Sequence, residues 1–108
     1  MLSTGEPERL YSGLSVLVSS AVDGRRCSAL AAFRALDLML DPPPSGRGER
    51  FDRSFAELVA TARDLEALTL YACAASVDLM ELDGPPLDGV MSTPRFLREA
   101  RGATLIFV

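Results

Sequence analysis

Short apolar runs alternate with longer segments of helical period along this chain. Residues 14–19 (LSVLVS) and 68–73 (LTLYAC) are short and apolar, a pattern typical of buried strands. Residues 25–40 lie between them and repeat apolar side chains at helical spacing, which predicts a helix that the prolines at 42–44 end. Because strands that alternate with helices pair in parallel through right-handed crossovers, this order predicts an α/β fold with a mainly parallel sheet.

The second half of the chain continues the alternation. Ser54 and Glu57 match a capping box, which predicts a helix over residues 55–67. Thr93 and Pro94 are typical of the cap and first position of another helix. The other expected elements are a short helix over 74–82, a turn over 83–86, a very short strand at 90–91 and a final strand over 104–108. This order predicts a sheet of four or five strands with helices on both faces.

A length of 108 residues corresponds to a single domain that spans residues 1–108. Residues 42–53 are rich in proline, glycine and arginine, which predicts a surface loop within that domain. A domain of this size leaves a large share of its surface exposed, and such domains often gain stability as oligomers.

Lysine and histidine are both absent, and all 11 basic residues are arginine. The lack of histidine excludes Ser-His-Asp and Cys-His mechanisms within one chain, as well as most catalytic zinc sites. The lack of lysine excludes Schiff-base chemistry and a phosphate-binding Walker lysine. Two cysteines cannot close a structural zinc site, so we expect no metal and no cofactor.

Charge and hydropathy limit the class of partner. The net charge of −4 provides no basic stripe, so we expect no nucleic-acid binding. No apolar segment approaches the roughly 18 residues that span a bilayer, and residues 1–10 lack the pattern of a signal peptide. We therefore expect no membrane association and a cytoplasmic location, where the cysteines stay reduced.

Sites in a parallel sheet form at the carboxyl ends of its strands. Cys73 ends the second predicted strand, and it is the candidate nucleophile because a helix that starts at Ala74 would stabilise its thiolate. Free cysteines are also among the most buried residue types, so a packing role is the alternative. The candidate substrate-binding residues at the same rim are Ser19, Ser20, Arg25, Arg26, Cys27 and Ser76, and Ser92 and Thr93 could join them.

Four segments carry a resemblance to a known family: LSVLVSS (14–20), LTLYACAAS (68–76), GVMSTPRFL (89–97) and ATLIFV (103–108). With these segments the chain resembles the DsrE/TusD-like (DsrE/DsrF-like) sulfur-relay family. The resemblance implies a small α/β protein that assembles as a homo-oligomer, either a trimer or a hexamer. It also implies that Cys73 carries sulfur as a persulfide between donor and acceptor proteins. Family members have a further strand after the first helix; here residues 36–40 are either that strand or part of a helix, and their period favours a helix.

Three functional hypotheses follow from these residues. The first is a sulfur carrier in which Cys73 accepts and passes on sulfane sulfur. Whether such a carrier also turns over by itself, as a sulfurtransferase, is left open. The second is a non-catalytic DsrE-like binding or structural subunit, whose rim holds a small anion or a partner chain while Cys73 packs in the core. The third is a thiol oxidoreductase that uses Cys27 and Cys73, against which the lack of a C-x-x-C motif argues.

Overall fold

The computed structural model describes residues 1–83 and 87–108. In this part of the chain, five helices and three strands follow one another in an α/β arrangement. They are α1 (Pro7–Val22), β1 (Cys27–Ala31), α2 (Phe33–Leu40), α3 (Glu49–Asp64), β2 (Leu68–Cys73), α4 (Ala74–Leu79), β3 (Gly89–Met91) and α5 (Thr93–Glu99).

The three strands form one parallel sheet in the order β1-β2-β3, which confirms the predicted class of fold. Cys27 pairs with Leu68 where β1 and β2 begin, and Cys73 pairs with Met91 where β2 and β3 end. The predicted four or five strands become three within the described ranges, because two predicted strands take other conformations and β1 forms where a helix was predicted.

Residues 14–19 lie within α1, so the strand predicted there is wrong. Leu10, Leu14 and Ala21 are buried at helical spacing, and Pro7 opens the helix at its first position. Val16 points to solvent with 49% of its surface exposed. The helical period is visible only over the whole segment, whereas the six residues considered alone are also compatible with a strand.

The helix predicted over residues 25–40 is wrong in its first half, because Cys27–Ala31 forms β1 and the helix α2 begins at Phe33. Cys-Ser-Ala-Leu-Ala has little β-propensity, and its pairing with β2 along its whole length overrides that local preference. Residues 36–40 are helical, as their period favoured.

Helix α3 begins at Glu49, six residues earlier than predicted, so the loop predicted over residues 42–53 extends only to residue 48. Gly48 precedes the helix with φ of 101°, a conformation that glycine adopts without a steric penalty. Ser54 therefore lies inside the helix rather than capping it. Its hydroxyl shares a 2.9 Å hydrogen bond with the hydroxyl of Tyr11 and joins α3 to α1.

The predictions from residue 68 onward agree better with the structure. The strands β2 and β3 and the helices α4 and α5 form where they were expected, although α4 ends at Leu79. Ser92 caps α5 instead of Thr93, because its Oγ accepts a hydrogen bond from the amide of Arg95 at 3.3 Å. Residues 84–86 of the predicted turn lie outside the described residues.

Residues 104–108 do not form the predicted strand, and residues 104–107 are exposed. Their backbone nevertheless bonds the first residues of the chain: the amide of Val108 donates to Met1 O at 2.9 Å, and the amide of Ser3 donates to Val108 O at 2.7 Å. Leu2 in turn makes a parallel bridge to Ala31 beside β1. The two termini therefore lie beside β1, on the side of that strand opposite to β2.

The buried side chains form two clusters. Because successive side chains of a strand point to opposite faces, Leu70 and Ala72 belong to the large cluster, while Cys73 belongs to the small one. The small cluster contains Leu30, Ala32, Cys73, Met91 and Phe96. Within residues 1–83 and 87–108, no helix combines the length and the hydropathy needed to cross a membrane.

Candidate functional site

Cys73 is the last residue of β2 and the residue that precedes α4. Its Sγ lies 3.8 Å from the Oγ1 of Thr93, at the start of α5. The neighbouring strand β3 ends beside it, so the carboxyl edge of the sheet brings together the β2–α4 and β3–α5 junctions. Only 4% of Cys73 is exposed, so the thiol is covered rather than open to solvent.

Two opposing effects act on the Cys73 thiol. Burial raises the pKa of Cys73 because it penalises the charged thiolate. Hydrogen bonds to the sulfur from the amide and hydroxyl of Ser76, the hydroxyl of Thr93 and the amide of Ala75 lower that pKa, and together they outweigh burial. The net pKa of Cys73 lies below its ordinary value, which favours the nucleophilic thiolate.

Ser76 connects Cys73 to the neighbouring strand–helix junction. Its side chain is fully buried, and its Oγ accepts a 3.0 Å hydrogen bond from the amide of Phe33. Because Phe33 N–H supplies a proton to this oxygen, the hydroxyl proton of Ser76 is free to point at the sulfur of Cys73. The β1–α2 junction therefore fixes the orientation of a donor to the thiol.

Phe33 adopts φ of 48°, in the left-handed region that bulky residues rarely occupy. This conformation occurs where β1 passes into α2, and it accompanies the hydrogen bond that its amide donates to Ser76. Backbone strain of this kind is often found at functional sites. Sequence reasoning missed Phe33, because no residue type in Ala-Ala-Phe-Arg indicates positive φ.

Cys27, Arg25 and Arg26 lie at the opposite edge of the sheet from Cys73. Cys27 is in register with Leu68, five positions before Cys73 on β2, which corresponds to about 16 Å along the strands. The two arginines are exposed in the turn before β1, and both cysteines are free. A disulfide needs Cα atoms within about 7 Å, so this arrangement disfavours the dithiol hypothesis.

Ser19 and Ser20 lie in the last turn of α1, because residues 14–19 are helical. The amide of Arg25 donates to Ser20 O at 3.1 Å, so both serines belong to the turn that leads into β1. The structure therefore separates the predicted rim into two groups. Of the six candidate binding residues, Ser76 lies beside Cys73 at the carboxyl ends of the strands. Thr93, which was expected as a possible addition to the rim, also lies there.

The described residues offer no cluster of three or more Cys, Asp or Glu side chains that could hold a metal ion. The groups that the Cys73 site itself supplies are the thiol and its hydrogen-bond donors. These groups suit nucleophilic attack by sulfur and stabilisation of an anionic product.

No protein-family model matches this chain, and no curated protein matches its sequence. The DsrE-like resemblance therefore stays a prediction that depends on four short segments. Residues 68–76 and 89–97 each form a strand followed by a helix, whereas residues 14–20 are helical and residues 103–108 contain no strand.

Proposed function

We propose that Cys73 is a sulfur-carrying thiol that accepts sulfane sulfur and passes it on as a persulfide. The observation that carries this proposal is the position of the Cys73 sulfur at the end of β2, 3.8 Å from the Thr93 hydroxyl and at the start of α4, where the donors of Ser76 and Ala75 lower the pKa of the thiol. Such donors stabilise the attacking thiolate, and a persulfide, which is also anionic at neutral pH, gains from the same groups.

The transfer is a thiol exchange that needs no additional oxidant. The thiolate of Cys73 attacks the terminal sulfur of a donor persulfide, R–S–SH. A bond forms between Cys73 Sγ and that sulfur, the donor S–S bond breaks, and its electron pair leaves with the donor as R–S⁻. The terminal sulfur keeps its proton, and an acceptor thiolate later repeats the reaction on the Cys73 persulfide.

Burial sets a condition on this reaction. With Cys73 only 4% exposed, a donor reaches the sulfur only after part of its cover moves. The start of α5 is the segment that we expect to move, since Thr93 contacts the sulfur and is itself partly exposed. This seven-residue helix carries a single buried residue, Phe96, so moving it costs less than moving α1 or α3.

The finer features of the predicted fold and assembly belong to the same proposal. Phe96 of α5 lies in the small cluster and α1 and α3 contribute to the large one, which supports helices on both faces of the sheet. The parallel bridge from Leu2 to Ala31 supports a further strand beside β1, in the direction of the four or five strands that were expected. We propose a cytoplasmic homo-oligomer, a trimer or hexamer, that exchanges sulfur with donor and acceptor proteins.

The burial of Cys73 also favours a second candidate, a non-catalytic DsrE-like binding or structural subunit. In that case the thiol packs in the small cluster with Leu30 and Met91, and its hydrogen bonds hold the strand–helix junctions together. The rim would then hold a small anion or a partner chain without covalent chemistry.

Sulfur uptake separates the two candidates. We would incubate the protein with a polysulfide, remove the excess and record the intact mass of the native chain. The carrier proposal predicts a gain of one sulfur atom that Cys73→Ser abolishes and the matched variant Cys27→Ser retains. A chain that gains no sulfur, or gains it equally in Cys73→Ser, would support the binding subunit.

A further inference from the structure

A groove of about 500 Å³ lies between α1, the first residues of β1, α5 and the two termini. Its volume falls within the range of small-molecule sites. Helix α1 contributes one continuous face to it, with Arg9, Gly13, Val16 and Leu17 at helical spacing. None of the residues that bond the Cys73 sulfur lines this groove.

The wall of the groove is mainly apolar and accessible to solvent. Val16, Leu105 and Ile106 line it with 49%, 45% and 51% of their surfaces exposed. Exposed apolar side chains that converge on one cavity favour an apolar ligand, because binding removes their surface from water. Gly13 allows Val108 to pack closely against α1, because a Cβ at residue 13 would lie 3.1 Å from a methyl group of Val108.

Two side chains of the lining are charged, and they lie next to each other in the first turn of α1. Glu8 is the acidic lining residue, and its carboxylate already pairs with Arg47 at 2.6 Å. Arg9 is the arginine of the lining, and it makes no ion pair within residues 1–83 and 87–108. Arg9 also lies in the first turn of α1, at the positive end of the helix dipole. An anion bound there would be attracted both by the guanidinium of Arg9 and by the helix dipole.

We propose that this groove binds an elongated apolar carboxylate, with its hydrocarbon chain against Val16 and Ile106 and its carboxylate on Arg9. The apolar wall supplies affinity, and the arginine selects a charged head group because guanidinium and carboxylate pair through two parallel hydrogen bonds. The proposal does not depend on sulfur transfer at Cys73, although Phe96 both lines this groove and packs in the small cluster with Cys73.

Titration calorimetry with decanoate, octanoate and decanol tests the proposal on the full chain. We expect decanoate to bind, and octanoate to bind roughly 15-fold more weakly, because it lacks two methylenes that each contribute about fourfold. Arg9→Gln should weaken decanoate binding about tenfold and leave decanol binding unchanged. The matched variant Arg63→Gln, on the exposed end of α3, should bind decanoate as the parent does.

A second variant tests the wall. Val16→Glu should abolish binding of both decanoate and decanol while its circular dichroism spectrum matches that of the parent, since residue 16 is half exposed. Absence of decanoate binding to the parent, or equal binding by Arg9→Gln, would overturn the proposal. A concentration-dependent dimer that Val16→Glu dissociates, in a parent that binds no decanoate, would also overturn it and assign the groove to a second copy of the chain.

Discussion

Cys27 begins β1 at the amino end of the parallel strands, and Cys73 ends β2 at their carboxyl end. Cys27 is partly exposed, and its Sγ lies 3.7 Å from the carbonyl oxygen of Arg25, which belongs to the turn before β1. Cys73 is covered and receives hydrogen bonds from α4 and α5. Amide and hydroxyl donors collect where strands pass into helices, so the direction of the parallel sheet places Cys73, at the carboxyl end of β2, among such donors.

Ser76→Ala should have the largest effect on this difference. It leaves the buried amide of Phe33 without its acceptor and removes a hydroxyl donor from Cys73. We expect the free energy of unfolding to fall by about 1–3 kcal/mol and the pKa of Cys73 to rise. Urea denaturation and the pH dependence of alkylation measure the two effects.

Ser19→Ala is the matched control, because Ser19 is exposed in the last turn of α1, before the start of β1. It should leave stability within about 0.5 kcal/mol of the parent and leave the titration of Cys73 unchanged. If Ser76→Ala behaved like this control, the hydrogen bond to Phe33 would not support the site.

Thr93→Val should have a smaller effect on the same pKa. The substitution keeps the shape of the side chain and removes the hydroxyl that lies 3.8 Å from the sulfur. We expect the pKa of Cys73 to rise less than in Ser76→Ala, because both variants keep the amide of residue 76 and the hydroxyl of Ser76 lowers this pKa more than the hydroxyl of Thr93 does. Alkylation profiles of the two variants, recorded side by side, give the order. A larger rise in Thr93→Val would mean that α5, not α4, holds the thiolate.

Phe33→Gly separates the backbone of Phe33 from its side chain. Glycine accepts φ of 48° without a steric penalty and keeps the amide that donates to Ser76. We expect the pKa of Cys73 to stay at its parent value and the free energy of unfolding to change by less than about 1 kcal/mol. Alkylation and urea denaturation again provide the readouts, with the exposed Phe107→Gly as control. A marked rise in the pKa of Cys73 would show that the phenyl ring, not the amide, orders the site.

The lowered pKa of Cys73 also links stability to pH, with the smallest expected effect. A group whose pKa is lower in the folded chain stabilises the fold above its unfolded pKa, about 8.5 for a thiol, and loses this contribution as pH falls through the folded pKa. The stability difference between the parent and Cys73→Ser should therefore grow from pH 6 to pH 9. Urea denaturation at both pH values measures it, and a difference that shrinks would contradict the sign of the shift.

The β2–α4 region was predictable because its local signals agree. An apolar run ends in small residues, and the strand and the helix both fit within a few positions. In residues 7–31 the local signals conflict: valines favour a strand where the full period requires α1, and Cys-Ser-Ala-Leu-Ala becomes β1 only by pairing with β2. Because of these errors, Ser19, Arg25 and Cys27 were expected at the carboxyl ends of the strands, whereas they lie near the start of β1.

The partners of Cys73 differ in how far they lie along the chain. Ser76 is three residues away, so its approach to the sulfur could be anticipated from the start of a helix after residue 73. Thr93 lies 20 residues from Cys73, and the amide of Phe33 lies 43 residues from Ser76. Those contacts depend on the register of three strands and on a positive φ, neither of which the residue types determine.

The most direct test of the account is the rate of iodoacetamide reaction at Cys73 against pH, resolved from Cys27 by peptide mass, in the native chain and in urea. If hydrogen bonds stabilise the thiolate, the native Cys73 profile has its midpoint below that of the same thiol in the unfolded chain, even though the native residue is almost completely covered. A native midpoint at or above the unfolded one, or no reaction at any pH, would contradict a stabilised thiolate and leave Cys73 as a packing residue.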